Sequence, residues 1–178
     1  QDEVIVFDPK QGMASRQHLC WLDEDIAANR ANDGKVDPWG RFWVGTMSTI
    51  DGDKTGQLTC IDKQGNKTVV EHNIGIANTL AWNKQQDTFY FADSSESMIW
   101  AYPLDAQNMP IVDKKQPFYH IEISDGAPDG SCIDQDDHLW NAQWNHGRVQ
   151  RLSPEGKLLQ ELLAPAPLTT SCCFGGPD

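Results

Sequence analysis

VDPWGRFWVGTM (36–47), WNKQQDTFYFADS (82–94) and IDQDDHLWNAQW (133–144) are three versions of one pattern. Each has an apolar entry, a polar turn carrying Asp, Gly or Gln, and then an aromatic-rich run that reads as a strand. The pattern has a register. Asn32, Asn78 and Asp129 each stand four residues before its first residue, which is Val36, Trp82 or Ile133. On this reading those three residues start strands. A repeat that sets one ligand-type side chain per unit can gather those side chains around one axis.

Outward from these stretches, helical periodicity is nearly absent. Short β-rich runs appear instead at 3–7, 41–46, 57–61, 88–92, 98–102 and 147–152. Turn signals separate them, among them Asp51-Gly52, Lys63-Gln64-Gly65-Asn66 and Pro154-Glu155-Gly156. Unit starts recur after 46 residues (Val36 to Trp82), 51 (to Ile133) and 41 (to Phe174). A second-half pattern recurs as VIVFDPKQG (4–12), LTCIDKQGN (58–66) and VQRLSPEGK (149–157). Periods of ~40–50 residues with about four strands each point to propeller blades.

The expected architecture is therefore all-β: a β-propeller of four-stranded blades. It comprises a blade tail (1–22), blades at 36–72, 82–123 and 133–163, and the opening of another at 169–178. Propellers close with ~4–8 blades, so about three and a half blades form an arc with open edges. The expectation is a segment of a larger propeller. A compact four-bladed closure is the alternative.

The bulk numbers exclude some functions. The chain has 178 residues, 39% hydrophobic and 22% charged, with a formal net charge of -12. Such acidity argues against nucleic acid or an anionic membrane as partner, because both demand a basic footprint. No apolar run approaches the ~18 residues of a membrane span. Five cysteines (Cys20, Cys60, Cys132, Cys172, Cys173) include no CxxC pair. Reduced thiols in a cytosol are the default for that usage, so a cytoplasmic location is expected. Adjacent Cys172 and Cys173 read as small buried residues of a strand. No signal-peptide pattern is visible, and the sequon at Asn66-Lys67-Thr68 is read as chance. Nucleophile-elbow, Walker and dinucleotide motifs are absent.

RANDGKVDPWGRFWVGTM (30–47), ANTLAWNKQQDTFYFADS (77–94), APDGSCIDQDDHLWNAQWNHGRVQRLSPEGKLL (127–159) and TTSCCFGGPD (169–178) resemble, in order, the signatures of the SMP-30/gluconolactonase/regucalcin family. The resemblance implies a six-bladed propeller that hydrolyses sugar lactones at one divalent metal in the central channel. Related members hydrolyse organophosphates. It makes Asn78 and Asp129 metal ligands, Asp129 also the general base, and Arg30 and Asn32 substrate contacts. A glutamate ligand of the family is expected upstream of Gln1. With two protein ligands alone, a hard cation is held weakly, so these 178 residues alone are expected to show weak or no activity. An acidic contact that some members carry after GTM has no counterpart in Ser48-Thr49-Ile50. Asn78-Thr79 stands where many members have Asn-Gly, with little consequence expected.

These residue types suit the chemistry. Hard cations take oxygen ligands, which Asn carbonyls and Asp carboxylates supply, so calcium is the first choice. Magnesium, manganese or zinc are further candidates, although zinc favours His or Cys. The partner implied is a small sugar lactone. Each residue also has a plain reading: Asn32-Asp33-Gly34 and Asp129-Gly130 are turn sequences, and Asn78 could cap a loop. Asp33, Asp93 and Asp134 are read as structural acceptors, His146 as a candidate rim residue, and the tryptophans as packing between blades. A phosphotriester hydrolase on the same metal, or a non-catalytic metal-binding propeller, are the rival functions.

Overall fold

A computed structural model describes residues 2–122, 124 and 126–176. Ile123, at the end of the second expected blade, and Pro177 and Asp178, in the expected opening of another, lie outside the described residues. The chain is built from fourteen strands among the described residues. A hairpin, β1 (Glu3–Val6) with β2 (Gln17–Trp21), precedes three antiparallel four-stranded sheets. The first sheet is β3 (Asn29–Val36), β4 (Phe42–Ser48), β5 (Gly56–Ile61) and β6 (Lys67–Ile74). Next come β7 (Ala77–Trp82), β8 (Thr88–Asp93), β9 (Met98–Pro103) and β10 (Gln116–His120). The third holds β11 (Ala127–Ile133), β12 (Leu139–Trp144), β13 (Arg148–Leu152) and β14 (Leu158–Leu163). In each, strands are hydrogen-bonded in chain order, as in a propeller blade.

Alternation along the strands builds the core between sheets. On β8, Phe89 and Phe91 face Trp43, Leu58 and Ile74 of the first sheet. Tyr90 and Ala92 point the other way, to Leu139 and Leu152 of the third. On β4, Val44 packs against Val4 and Cys20 of the hairpin, while its neighbour Trp43 joins the opposite cluster. Strands β4 and β8 are thus apolar on both faces, which accounts for their near-continuous apolar and aromatic runs. Gly45 permits a close approach between sheets, since a Cβ there would collide with that of Ala77.

The structure moves the edge of the repeat. Val36, Trp82 and Ile133 close strands β3, β7 and β11 rather than open new ones. Each of these innermost strands takes in one extra residue. Ala31 to Gly34 spans three steps against two from Thr46 to Val44. The same slip separates Asn78 from Ala81 and Pro128 from Ser131. The Asn, Asp and Gly residues that read as turns before a strand are β-bulges inside one. A bulge meets the backbone demand of a turn while leaving the ladder intact on both sides.

Candidate metal and substrate site

The three bulges lie side by side on the inner strands and open onto a cavity of about 510 Å³. Arg30, Asn32, Asp33, Asn78 and Asp129 line it, with Met47, Ile76, Ser94, Trp144, Thr170 and Ser171 on its walls. All four residues singled out by the sequence thus meet in one space. Asn78 is buried, Asp129 half-buried, and Arg30 and Asn32 exposed towards the mouth.

Asn32 Nδ2 donates to the Ala77 carbonyl (2.8 Å) and to Asn78 Oδ1 (3.3 Å), which joins the first two bulges. Arg30 Nη1 donates to the Ala31 carbonyl (3.0 Å) and to Asn32 Oδ1 (3.2 Å), so the guanidinium is tethered beside Asn32. The second and third bulges meet through Thr79, whose hydroxyl donates to the Asp129 carbonyl (2.6 Å). Asn141 Nδ2 donates to the same carbonyl (2.8 Å) and to Thr79 Oγ1 (3.0 Å). Thr79 has φ 55°, a left-handed conformation that is costly for a β-branched residue. Its hydroxyl offers in return a clamp on the Asp129 backbone that glycine could not make. Exchanging Asn-Gly for Asn-Thr therefore has a structural consequence that sequence reading did not anticipate.

The orientation of the Asn78 amide is informative. Its nitrogen donates to Ser94 Oγ (2.8 Å), and Ser94 Oγ donates its single proton to the Pro128 carbonyl (2.5 Å). Turning the amide over would leave Ser94 with two acceptors and one proton. One terminal atom of the Asn78 amide lies 2.8 Å from Asp129 Oδ1 and the other 2.8 Å from Ser94 Oγ: with nitrogen inward Asn78 donates to Asp129, and with oxygen inward the two residues present a pair of oxygens to a cation. Two oxygens that close repel unless a cation or a proton stands between them. Burial pushes the Asp129 carboxyl up to about 6, against the hydrogen bond from the Gly130 amide, and the nearby charge of Asp33 pushes the same way. An oxygen-only, desolvated pair of this kind fits a hard divalent cation. No His or Cys lines the cavity among the described residues.

Ser94 is set beneath Asn78 by a short 3-10 helix, Ser94–Glu96, capped by Asp93. The Asp93 carboxylate accepts from the Gly75, Ile76 and Ser95 amides, the structural role its sequence suggested. Asp33 departs from that reading. It accepts from the Gly34 amide (2.8 Å), yet it also lines the cavity, and burial holds its carboxyl above the usual range. Trp144, rather than His146, lines the cavity wall and is 40% exposed. The signal was available for Asp33, which follows Asn32 in the same bulge; for Trp144 the strand pattern gave none.

A second acidic group, Asp134, Asp136 and His138, brings its ligand atoms within 4.8 Å of one another. Its centre is already filled by an internal cation. Arg151 donates to Asp134 Oδ2 through Nε (2.8 Å) and Nη2 (2.6 Å), and its Nη2 lies 3.0 Å from His138 Nδ1. Asp134 is structural, as its sequence context suggested.

A model of the SMP-30/gluconolactonase/LRE-like region matches residues 1–178. The chain belongs to the SMP-30/gluconolactonase family. Within that family, regucalcin of Gallus gallus is 40% identical over 170 residues, covering 90% of this chain and 55% of the relative. A 6-deoxy-6-sulfogluconolactonase of Pseudomonas putida is 36% identical over 164 residues, covering 88% of the chain and 56% of the relative. Among solved structures, a calcium-binding protein, regucalcin, from Agrobacterium tumefaciens superposes with a TM-score of 0.89 at 30% identity, covering 98% of this chain and 58% of that one. The chain spans about half the length of the curated family members it matches. The all-β propeller architecture of four-stranded blades agrees with the family's solved structures. No helix among the described residues is long and apolar enough to cross a membrane.

Proposed function

We propose that the protein carrying this chain hydrolyses a sugar lactone to its aldonic acid at a divalent metal, with calcium the first choice. The observation that carries the reading is the convergence of Asn78 and Asp129, 2.8 Å apart, with Arg30 and Asn32 in one cavity. Family membership and a sulfogluconolactonase relative support the lactone.

Asn78 and Asp129 would hold the cation. A divalent ion there supplies Lewis-acid polarisation of an ester carbonyl. Asn32, anchored on Ala77, presents an amide to sugar hydroxyls, and Arg30 keeps further donors of its fork for ring or carbonyl oxygens. Asp129 takes the proton of the attacking water. Water oxygen bonds to the carbonyl carbon, the ring C–O bond breaks, and the departing alkoxide takes up a proton.

Acid release from several aldonolactones, followed with a pH indicator with and without chelator, tests this. Metal-dependent release is expected. Release from phosphotriesters alone would favour that rival chemistry, and metal binding without turnover of either class would favour a binding propeller.

A further inference from the structure

Cys132 and Cys172 place their sulfurs 3.8 Å apart. Cys132 stands on β11, three residues beyond Asp129. Cys172 stands on the following segment, which runs alongside that strand outside any regular element. The Gly130 amide donates to the Thr170 carbonyl (2.8 Å), and Phe174 meets Trp140 edge-on with ring centres 5.9 Å apart. Backbone and ring contacts on either side therefore bring the two thiols together. The other cysteines are placed differently. Cys20 and Cys60 are buried in two core clusters, and Cys173 is exposed. The expectation that Cys172 and Cys173 are buried strand residues is thus corrected.

Access and polarity are also present. Cys132 lines a cavity of about 360 Å³ with Lys35, and Cys172 and Cys173 line a neighbouring one of about 190 Å³ that Lys35 also borders. The Lys35 ammonium is fixed by donating to the Ser131 carbonyl (2.8 Å). The contact with Cys172 and the Lys35 charge lower the Cys132 thiol, the same contact raises Cys172, and Cys172 Sγ also lies 3.4 Å from the Trp140 carbonyl.

We propose that Cys132 and Cys172 form a reversible redox-modification site that a hydroperoxide closes to an intrachain disulfide. The Cys132 thiolate attacks a peroxide oxygen, the O–O bond breaks, and the released hydroxide takes a proton, leaving Cys132 as a sulfenic acid. Cys172 sulfur then attacks the Cys132 sulfur; the S–S bond forms, the S–O bond breaks, and the hydroxide leaves as water with the Cys172 proton. Two thiols lose two electrons, and hydrogen peroxide becomes two waters. The sulfurs must approach to about 2.05 Å for the bond to form. Thr170 and Ser171 on that segment also line the larger cavity, so the bond would fix one wall of it. The proposal does not rest on the lactone reading.

The test is hydrogen peroxide at stoichiometric amounts on the reduced protein, followed by intact mass and non-reducing peptide mapping. A loss of about 2 Da and a Cys132–Cys172 linked peptide, both reversed by dithiothreitol, are expected. Cys172→Ser should leave a Cys132 sulfenic acid that dimedone traps, and Cys173→Ser should leave the linkage intact. A linkage through Cys173, or oxidation that leaves Cys132 unmodified in the folded wild-type protein, would overturn the proposal.

Discussion

Asp129 and Asp134 lie five residues apart on the same sheet, and their surroundings are opposite. Asp134 is saturated with donors: the Asp136 and His138 amides, Trp140 Nε1 and the Arg151 guanidinium. Burial works against the charge there, but those hydrogen bonds outweigh it and hold the carboxyl well below the usual range. Among the described residues, Asp129 accepts from the amide of Gly130 within its own bulge, and its other polar neighbour is the Asn78 amide. A carboxylate that the fold has finished solving is structural. One left desolvated and under-bonded keeps its lone pairs for something else. The first sheet repeats the finished version. Asp37 accepts from the Trp39 and Arg41 amides, Arg41 Nε and Trp43 Nε1.

The sharpest break between the two is substitution. Asp129→Ala should abolish metal binding by calorimetry and lower lactone turnover by about a thousandfold. Its metal-free melting temperature should equal or exceed that of the wild type. Asp134→Ala should do the reverse, because it leaves half-buried Arg151 with only the longer pair to Asp136 (3.4 Å) among the described carboxylates. A loss of about 3 kcal/mol in denaturant unfolding is expected, with metal affinity kept in the folded protein. Equal effects of the two substitutions on stability would erase the distinction.

Titration separates them next. Asp129 is raised, so protons compete with the cation as pH falls through about 6, and metal affinity should weaken up to about tenfold per unit below that. In the metal-free protein its protonated form favours folding; that contribution is complete below the unfolded pKa and lost as pH rises through about 6. Asp134 is depressed, so its contribution is present above the ordinary carboxylate range and lost only as pH falls below it. Metal titrations and unfolding curves across acid pH check both signs.

Smaller effects test the details. Trp140→Phe removes one donor from Asp134 and should cost about 1 kcal/mol without changing metal affinity. Thr79→Gly relieves the left-handed strain but loses the hydroxyl bond to the Asp129 carbonyl. These oppose each other, so a stability change under about 1 kcal/mol is expected, with Asp129 less firmly held and metal affinity lowered.

Much of this was legible in the chain. Aromatic runs such as 88–92 and 98–102 became β8 and β9 nearly residue for residue, because strands apolar on both faces leave an unbroken signal. Arg30, Asn32, Asn78 and Asp129 met in one cavity because a repeat carries its phase through sequence. The inner strands were misplaced because Asn-Asp-Gly and Asp-Gly carry the same composition in a turn as in a bulge. Only the cross-strand pairing of Ala31 with Thr46 and Gly34 with Val44 tells them apart. Trp144 was hidden for a related reason: strand alternation does not say which indole ends beside an opening.

The three bulges carry a consequence for how such a molecule can diverge. A residue looped out of the ladder owes nothing to its cross-strand neighbour. Replacing it re-equips the cavity while the hydrogen-bond register on either side stays as it was. Variation at 32–33 and 129 can therefore explore new ligands at little risk to folding, whereas Leu80, looped out in the second bulge, is committed to the core between sheets.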